Sequence, residues 1–136
     1  MKYRVVVFIY RSHLLVTLQD RLTYSLLTQL KVELIMAVIL QVDFPFSGPF
    51  GEEMSNALMD LAKSINEEPG FMWKIWTENQ AEQSAGGVYM FADESTASAY
   101  LTMHTERLGS FGITDVRGKI FSINNKLTAI NHGATG

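Results

Sequence analysis

Apolar and polar positions along residues 36–136 follow two periods, one typical of strands and one typical of helices. Stretches rich in β-branched and aromatic residues predict strands over 37–44, 71–78, 88–92 and 114–123. Apolar residues that recur every three or four positions predict helices over 52–67 and 93–108. The order βαββαβ predicts an α+β, ferredoxin-like domain, in which a four-stranded antiparallel sheet carries two helices on one face.

Capping and turn-forming residues mark the ends of these elements. Asp93 is placed to cap the second helix, and Gly109 is placed to end it. Gly86 and Gly87 follow a polar loop and are expected to open the third strand. Residues 124–136 are polar and are expected to form a partly loose tail.

Residues 1–35 differ from the rest of the chain in charge and in pattern. They carry five basic and two acidic residues, whereas the remainder carries six basic and twelve acidic residues. Val5–Tyr10 reads as a short strand, and the leucines from Leu14 to Leu34 recur at helical intervals.

Residues 11–13 are polar and interrupt the apolar run that a signal peptide would need. No run of this sequence reaches the roughly 18 apolar residues of a membrane span. Residues 1–35 are therefore a strand-and-helix extension or, as we favour, sequence upstream of a start at Met36. The expected domain is 36–136.

Both faces of the predicted sheet carry large apolar side chains. The apolar alternate positions of the first strand are Val38, Leu40, Val42 and Phe44. On the second strand, alternation places Phe71, Trp73 and Ile75 together under the helices. On the opposite face it places Met72 together with Lys74, Trp76 and Glu78, of which the last three are the candidate interface residues. Since a second copy of the sheet would cover that face, we expect a homodimer packed sheet to sheet, with these three residues at its interface.

The composition of the chain excludes several classes of function and of binding site. The chain is 47% hydrophobic and 18% charged with a net charge of −3, so it has the balance of a globular protein and lacks the basic excess of a nucleic-acid binder. It contains no cysteine, which excludes disulfides and thiolate metal sites and is compatible with a cytoplasmic location. His13, His104 and His132 are too scattered for a metal site. We therefore expect no metal, no nucleic acid and no membrane partner.

Aromatic residues near the 45–51 loop are candidates for a ligand-binding wall. They are Trp73, Phe46, Phe50, Phe44 and Tyr89. Aromatic rings bury a large area and stack on planar ligands, although the same pattern equally fits an ordinary core.

The second helix carries the candidate catalytic residues. His104 lies on its apolar stripe, and the unperturbed pKa of a histidine, about 6.5, suits accepting or donating a proton. Tyr100, one turn away, would supply a phenolic donor, and Arg107 would stabilise an enolate or phenolate. The alternatives are a histidine satisfied by one hydrogen bond in the core and a solvated arginine.

Four segments of the chain resemble a known family. They are Phe44–Gly51, Ser64–Glu78, Ala85–Phe91 and Ala99–Leu108. In these segments the chain resembles the YdhR family of putative mono-oxygenases, of the dimeric α+β barrel superfamily, over residues 36 to about 130. The resemblance implies a ferredoxin-like protomer that dimerises through its sheets.

The same resemblance implies a cofactor-independent mono-oxygenase that acts with O2 on a hydrophobic aromatic compound of the phenol or quinol type. No flavin, haem or metal would then be needed. Two alternatives stay open at this stage. One is a non-catalytic module that binds a hydrophobic small molecule, and the other is a haem protein with His104 as axial ligand.

Overall fold

The computed structural model describes residues 18–33 and 36–135. The chain divides into two units, Met1–Val32 and Glu33–Gly136. Helix α1 (Leu18–Glu33), all but the last residue of which belongs to the first unit, confirms the helical leucine pattern over those residues. The strand predicted at 5–10 lies outside the described residues. The boundary at residue 36, and the status of the segment before it, stay predictions.

The second unit has the βαββαβ order that the sequence predicts. Its strands are β1 (Val38–Pro45), β2 (Phe71–Asn79), β3 (Ser84–Phe91) and β4 (Arg117–Ser122). Its helices are α2 (Gly51–Ala57), α3 (Met59–Ile65), α4 (Glu94–Ser110) and α5 (Asn125–Ile130). The strands form one antiparallel sheet in the order β2-β3-β1-β4, so the ferredoxin-like α+β prediction is confirmed.

The hydrophobic core lies between one face of this sheet and the helices. Its strand residues include the alternate positions of β1 predicted from the sequence, and those of β3 from Ala85 to Phe91. Helix α4 presents its predicted stripe to them, with Ala97, Tyr100, His104 and Leu108 buried. Asp93 caps this helix as expected, because its carboxylate accepts a hydrogen bond of 2.8 Å from the Thr96 amide.

A β-bulge near the start of β2 changes the faces of that strand. Phe71 pairs with Phe91, the register shifts between Phe71 and Trp73, and Lys74 then pairs with Tyr89. Since cross-strand partners share a face, Phe71 and Lys74 both face the helices, and Trp73 lies on the opposite, open face. The prediction that alternation continues from Phe71 to Trp73 and Ile75 is therefore wrong.

Other element boundaries also differ from those predicted. Strand β3 begins at Ser84, so Gly86 and Gly87 lie inside it and do not open it. Helix α4 continues through Gly109, and the chain reaches a positive φ of 81° only at Gly112.

The first predicted helix is divided at Leu58, whose φ of −107° and ψ of 10° leave the helical region. The bond from the Leu58 amide to the Met54 carbonyl is kept at 3.0 Å, so the division between α2 and α3 is a local irregularity. The expected loose tail contains α5, capped by Asn124, whose side-chain oxygen accepts from the Leu127 amide at 3.2 Å.

The open face of the sheet is partly covered by the end of the chain. Ile39, Trp73 and Ile75 line a hollow of about 620 Å³ together with residues of the segment 122–135. Ile75 and Phe121 remain 59% and 45% exposed. None of the helices in the described part of the chain has the length and hydrophobicity needed to span a bilayer.

The close approach of β1 to Gly86 predicts a strong effect of a single methyl group. A Cβ at Gly86 would collide with the Val42 carbonyl oxygen, a backbone atom that cannot rotate away. We expect Gly86→Ala to lower the free energy of unfolding by about 1–3 kcal/mol, measured by urea denaturation. Gly109→Ala is the control, because nothing lies within 4 Å of its Cβ position. In the helix that change should stabilise by about 0.5–1 kcal/mol, and equal effects of the two changes would contradict the argument.

Candidate functional site

A cavity of about 380 Å³ lies between the helix-covered face of the sheet and the helices. Its wall includes residues of β1, β2, β3, α2, α3, α4 and the loops after β1 and α4. The side chains that matter for chemistry are Phe44, Phe46, Lys74, Trp76, Tyr89 and His104. The volume suits a small-molecule ligand, and the wall is mostly apolar with few polar groups, as is typical of such sites.

Three of the predicted aromatic residues line this cavity. Phe44, Phe46 and Tyr89 are in its wall. Phe50 is not; its ring packs edge-on against Phe46, with centroids 5.6 Å apart, and supports that ring from behind. Phe46 packs edge-on against Phe44 as well, at 6.1 Å, so the loop rings are held in place by their neighbours.

Because of the bulge in β2, the two tryptophans lie on the faces opposite to those predicted. Trp73, predicted as a wall of the ligand site, lies on the open face, and Trp76 takes its place in the cavity. The prediction that Lys74, Trp76 and Glu78 share the face opposite the helices is wrong, since all three follow the bulge onto the helix-covered face. Glu78 there accepts a hydrogen bond of 3.0 Å from the Gly51 amide at the start of α2.

His104 and two tyrosines form a buried polar cluster at the cavity. His104 is only 3% exposed, and its Nε2 lies 3.3 Å from the Tyr89 hydroxyl. Tyr100 stacks on the imidazole, with ring centroids 5.1 Å apart and an angle of 23° between planes. The His104 Nδ1 and the Tyr100 hydroxyl are buried without a hydrogen-bond partner among the described residues. Such unpaired groups cost about 1–3 kcal/mol each.

Lys74 reaches across the aromatic surface of the cavity. Its Nζ lies 3.0 Å from the centre of the Trp76 ring and 4.6 Å from that of Tyr89. Gly87 makes this path possible, because a Cβ there would lie 2.7 Å from the Lys74 Cε. Strict alternation predicts Lys74 at a dimer interface on the opposite face, and a bulge before Lys74 reverses that face and places the residue at the cavity.

Arg107 stands behind the cavity and does not line it. One of its guanidinium nitrogens donates to Glu68 at 3.1 Å, and both side chains are 22% exposed. Its other terminal nitrogen, Nη1, is buried with no hydrogen-bond partner among the described residues. The positive charge nevertheless acts on the site, since it disfavours protonation of both Lys74 and His104.

These surroundings set the protonation state of each group. Burial, with the charges of Lys74 and Arg107, lowers the pKa of His104 to about 4, so the imidazole is neutral at pH 7. Burial, with the charge of Arg107, lowers the pKa of Lys74 to about 7. Burial raises the pKa of Tyr100 to about 12 and raises that of Tyr89 further, so both hydroxyls keep their protons. The cavity thus offers hydroxyl donors, a neutral imidazole and an amine that titrates near neutrality.

The described residues include no group of three or more His, Cys, Asp or Glu side chains that could hold a metal ion. The expectation that the protein needs no metal or organic cofactor stays a prediction.

Comparison with known proteins assigns this chain to a family. The family model described as "Putative mono-oxygenase ydhR" matches residues 39–134. The chain belongs to the ydhR family. The match includes every residue named above as lining the cavity, so the site lies entirely within the part of the chain that is shared with the ydhR family.

A crystal structure of a variant of SnoaB, a cofactor-independent oxygenase from Streptomyces nogalater, is similar over 65% of this chain and 93% of that chain. The TM-score is 0.47 and the sequence identity is 14%. No match was found among the curated proteins.

The buried imidazole predicts that this ydhR-family protein loses stability in acid. Because the pKa of His104 falls from 6.5 to about 4 on folding, the unfolded state takes up the proton first as the pH falls. The contribution of neutral His104 to the free energy of unfolding is complete above about pH 6.5 and is lost as the pH falls towards 4. Between about pH 7.5 and about pH 4.5 the free energy of unfolding should therefore fall by about 2–3 kcal/mol. Urea denaturation at these two pH values measures it.

The control variant His104→Gln has no titrating group at this position and should lose that part of the pH dependence. His132→Gln, at an exposed position, should keep it. An unchanged pH dependence in His104→Gln would contradict the argument.

Proposed function

We propose that this protein is a cofactor-independent mono-oxygenase that acts with O2 on a hydrophobic aromatic compound of the phenol or quinol type. The observation that supports it best is the cavity itself, in which rings of Phe44, Phe46, Trp76 and Tyr89 surround a small set of polar groups. Membership of the ydhR mono-oxygenase family supports the reaction class.

Oxygenation without a cofactor needs an electron-rich substrate anion and a dry site. The anion of a phenol transfers an electron to O2 far more readily than the neutral phenol does. The resulting radical and superoxide combine to a peroxide at a ring carbon that carries hydrogen. Loss of water from that peroxide leaves a quinone, so one phenol and one O2 give one quinone and one water. An apolar wall protects the radical pair and the peroxide from solvent.

The buried polar cluster supplies a hydrogen-bond donor for the substrate in this reaction. When His104 donates its Nε2 hydrogen to the Tyr89 oxygen, the Tyr89 hydroxyl proton is free to donate to an oxygen of the bound ring. Tyr100 and Arg107, which do not line the cavity, are positioning residues: Tyr100 fixes the imidazole plane by stacking, and Arg107 keeps the site electropositive.

The first test is O2 uptake by metal-free protein with a panel of polycyclic phenols and quinols, with chromatographic detection of the product. We expect enzyme-dependent uptake and an oxygenated product. Trp76→Leu should lower kcat/KM at least about tenfold, because a ring that contributes about 1.4 kcal/mol or more to substrate stacking is removed. The matched variant Trp73→Leu, from the open face of the same strand, should retain most of the activity.

A non-catalytic binding module is the alternative supported by the same apolar cavity. It predicts ligand binding that Trp76→Leu weakens, with no O2 uptake and no product from any compound of the panel. That combination would contradict the oxygenase proposal and support the module.

A homodimer through the open face completes the proposal. Ile75 and Phe121 are large apolar side chains that remain exposed there, and a second copy of the sheet would remove them from water. We expect light scattering after gel filtration to give twice the protomer mass. Ile75→Glu combined with Phe121→Glu should give the protomer mass, while Met59→Glu, on helix α3, should leave the dimer intact. A monomeric wild-type protein would contradict this proposal.

The cytoplasmic location expected from the sequence stays a prediction, and fractionation of the producing cells would test it.

A further inference from the structure

We propose that Lys74 is the catalytic base of this site, which takes the proton from the substrate hydroxyl and then holds the resulting phenolate as an ammonium. The inference rests on the proposed function and deepens it, because it names the residue that forms the anion and the class of phenol that the site selects.

The first support is the position of the amine. Lys74 lines the aromatic cavity, and its Nζ lies on the face of the Trp76 ring and beside that of Tyr89. The nitrogen occupies this face of the Trp76 ring, so a phenol that enters the cavity beside the two rings meets the amine there. Gly87 leaves the space through which the lysine side chain passes.

The second support is the absence of a carboxylate at this nitrogen. Within residues 18–33 and 36–135, Lys74 forms no ion pair. Two carboxylates of this region are engaged elsewhere: Glu68 with Arg107, and Glu78 with the Gly51 amide. The aromatic face of Trp76 favours an ammonium, whereas burial opposes it. The Lys74 side chain can therefore exist as a neutral amine or as an ammonium, because no fixed anion nearby keeps it charged.

The groups that face Lys74 from each packed element agree with this role. Tyr89 on β3 stays a neutral hydroxyl, and His104 on α4 stays a neutral imidazole. Arg107, also on α4, adds a positive charge that disfavours the ammonium until an anion arrives. Together with burial it brings the pKa of Lys74 to about 7.

Other groups of the site are poorer acceptors. His104, with its pKa near 4, holds a proton weakly at neutral pH. Tyr89 and Tyr100 are already protonated, so neither can accept the proton of a phenol. Of the ionisable groups that line the cavity within the described part of the chain, Lys74 alone combines a free electron pair near pH 7 with sufficient basicity.

The proton step balances without a further reactant. The phenol O–H bond breaks, the amine forms an N–H bond, and neutral phenol plus neutral amine become phenolate plus ammonium. After oxidation, the ammonium returns its proton to the terminal oxygen of the peroxide. The O–O bond then breaks as the ring carbon loses its hydrogen as a proton, and the terminal oxygen leaves as water with both protons while the ring carbon becomes a carbonyl. Each pKa unit by which the phenol exceeds Lys74 reduces the phenolate population about tenfold. The site therefore selects phenols acidified by ring fusion or by a conjugated carbonyl.

A coloured phenol tests the proton transfer without any turnover. A nitrophenol bound in the cavity is titrated by visible absorbance, because its phenolate absorbs in the visible range and it is not readily oxidised. We expect the midpoint of the bound phenol to be at least about one pH unit higher in Lys74→Met than in wild type, a tenfold loss of phenolate at a fixed pH below both midpoints. Lys63→Met, at an exposed lysine of α3, is the control and should leave the midpoint unchanged.

Lys74→Arg tests whether Lys74 acts as a base or only as a positive charge. Arginine keeps the positive charge but cannot accept the proton, so it should retain a low phenolate midpoint while turnover loses its pH dependence near neutrality. A nitrophenol that fails to bind wild type, or that titrates identically in wild type and Lys74→Met, overturns the proposal. So does full activity of Lys74→Arg with an unchanged pH profile.

A titration of Lys74 in the wild-type protein gives a second readout, in which a variant serves only to assign the signal. Lysines labelled by reductive methylation with 13C give one NMR signal each, and the Lys74 signal is identified by its loss in Lys74→Arg. We expect a midpoint near 7 that rises by at least about one unit when nitrophenol binds. An ordinary lysine titration with no response to the phenol would overturn the proposal even if O2 uptake is observed.

Discussion

The extra residue in strand β2 is the constraint on which the site depends. The register shift between Phe71 and Trp73 accommodates Met72 without a partner on β3, and every side chain after it moves to the other face of the sheet. Without the shift, Trp73 would face the helices and Lys74 would face away from them. The composition of the cavity thus follows from one irregularity in backbone pairing, which is consistent with the frequent occurrence of bulges beside functional sites.

The glycines of β3 serve the same arrangement. As an inner strand, β3 is flanked by β1 and β2, and at Gly86 the backbone of β1 leaves no room for a Cβ. At Gly87 the missing Cβ leaves a path for the Lys74 side chain. A strand interior normally loses stability with glycine, so these two positions are best explained by close approach of the neighbouring strand and by the space that the lysine needs.

The polar groups at the cavity do not contribute to the stability of the fold. A buried imidazole with an unpaired nitrogen, a buried tyrosine hydroxyl without a partner and a lysine without an anion each oppose folding. Apolar side chains would pack the same volume at less cost. Rings around them supply the compensating burial and exclude water, which also strengthens any interaction between Lys74 and an oxyanion. The oxygenase and base proposals draw on this same feature.

The sequence by itself determined the order of elements, the buried face of β1, the buried stripe of α4 with His104, the Asp93 cap and the family. These depend on local periodicity and capping, which each segment carries in its own residues. Only the tertiary structure decided the face of β2, the division at Leu58 and the start of β3. Those features depend on pairing with distant strands and on packing, because a bulge is defined by the partner that an extra residue lacks. For this reason Trp73 was assigned to the cavity from sequence, whereas the fold places Trp76 and Lys74 there.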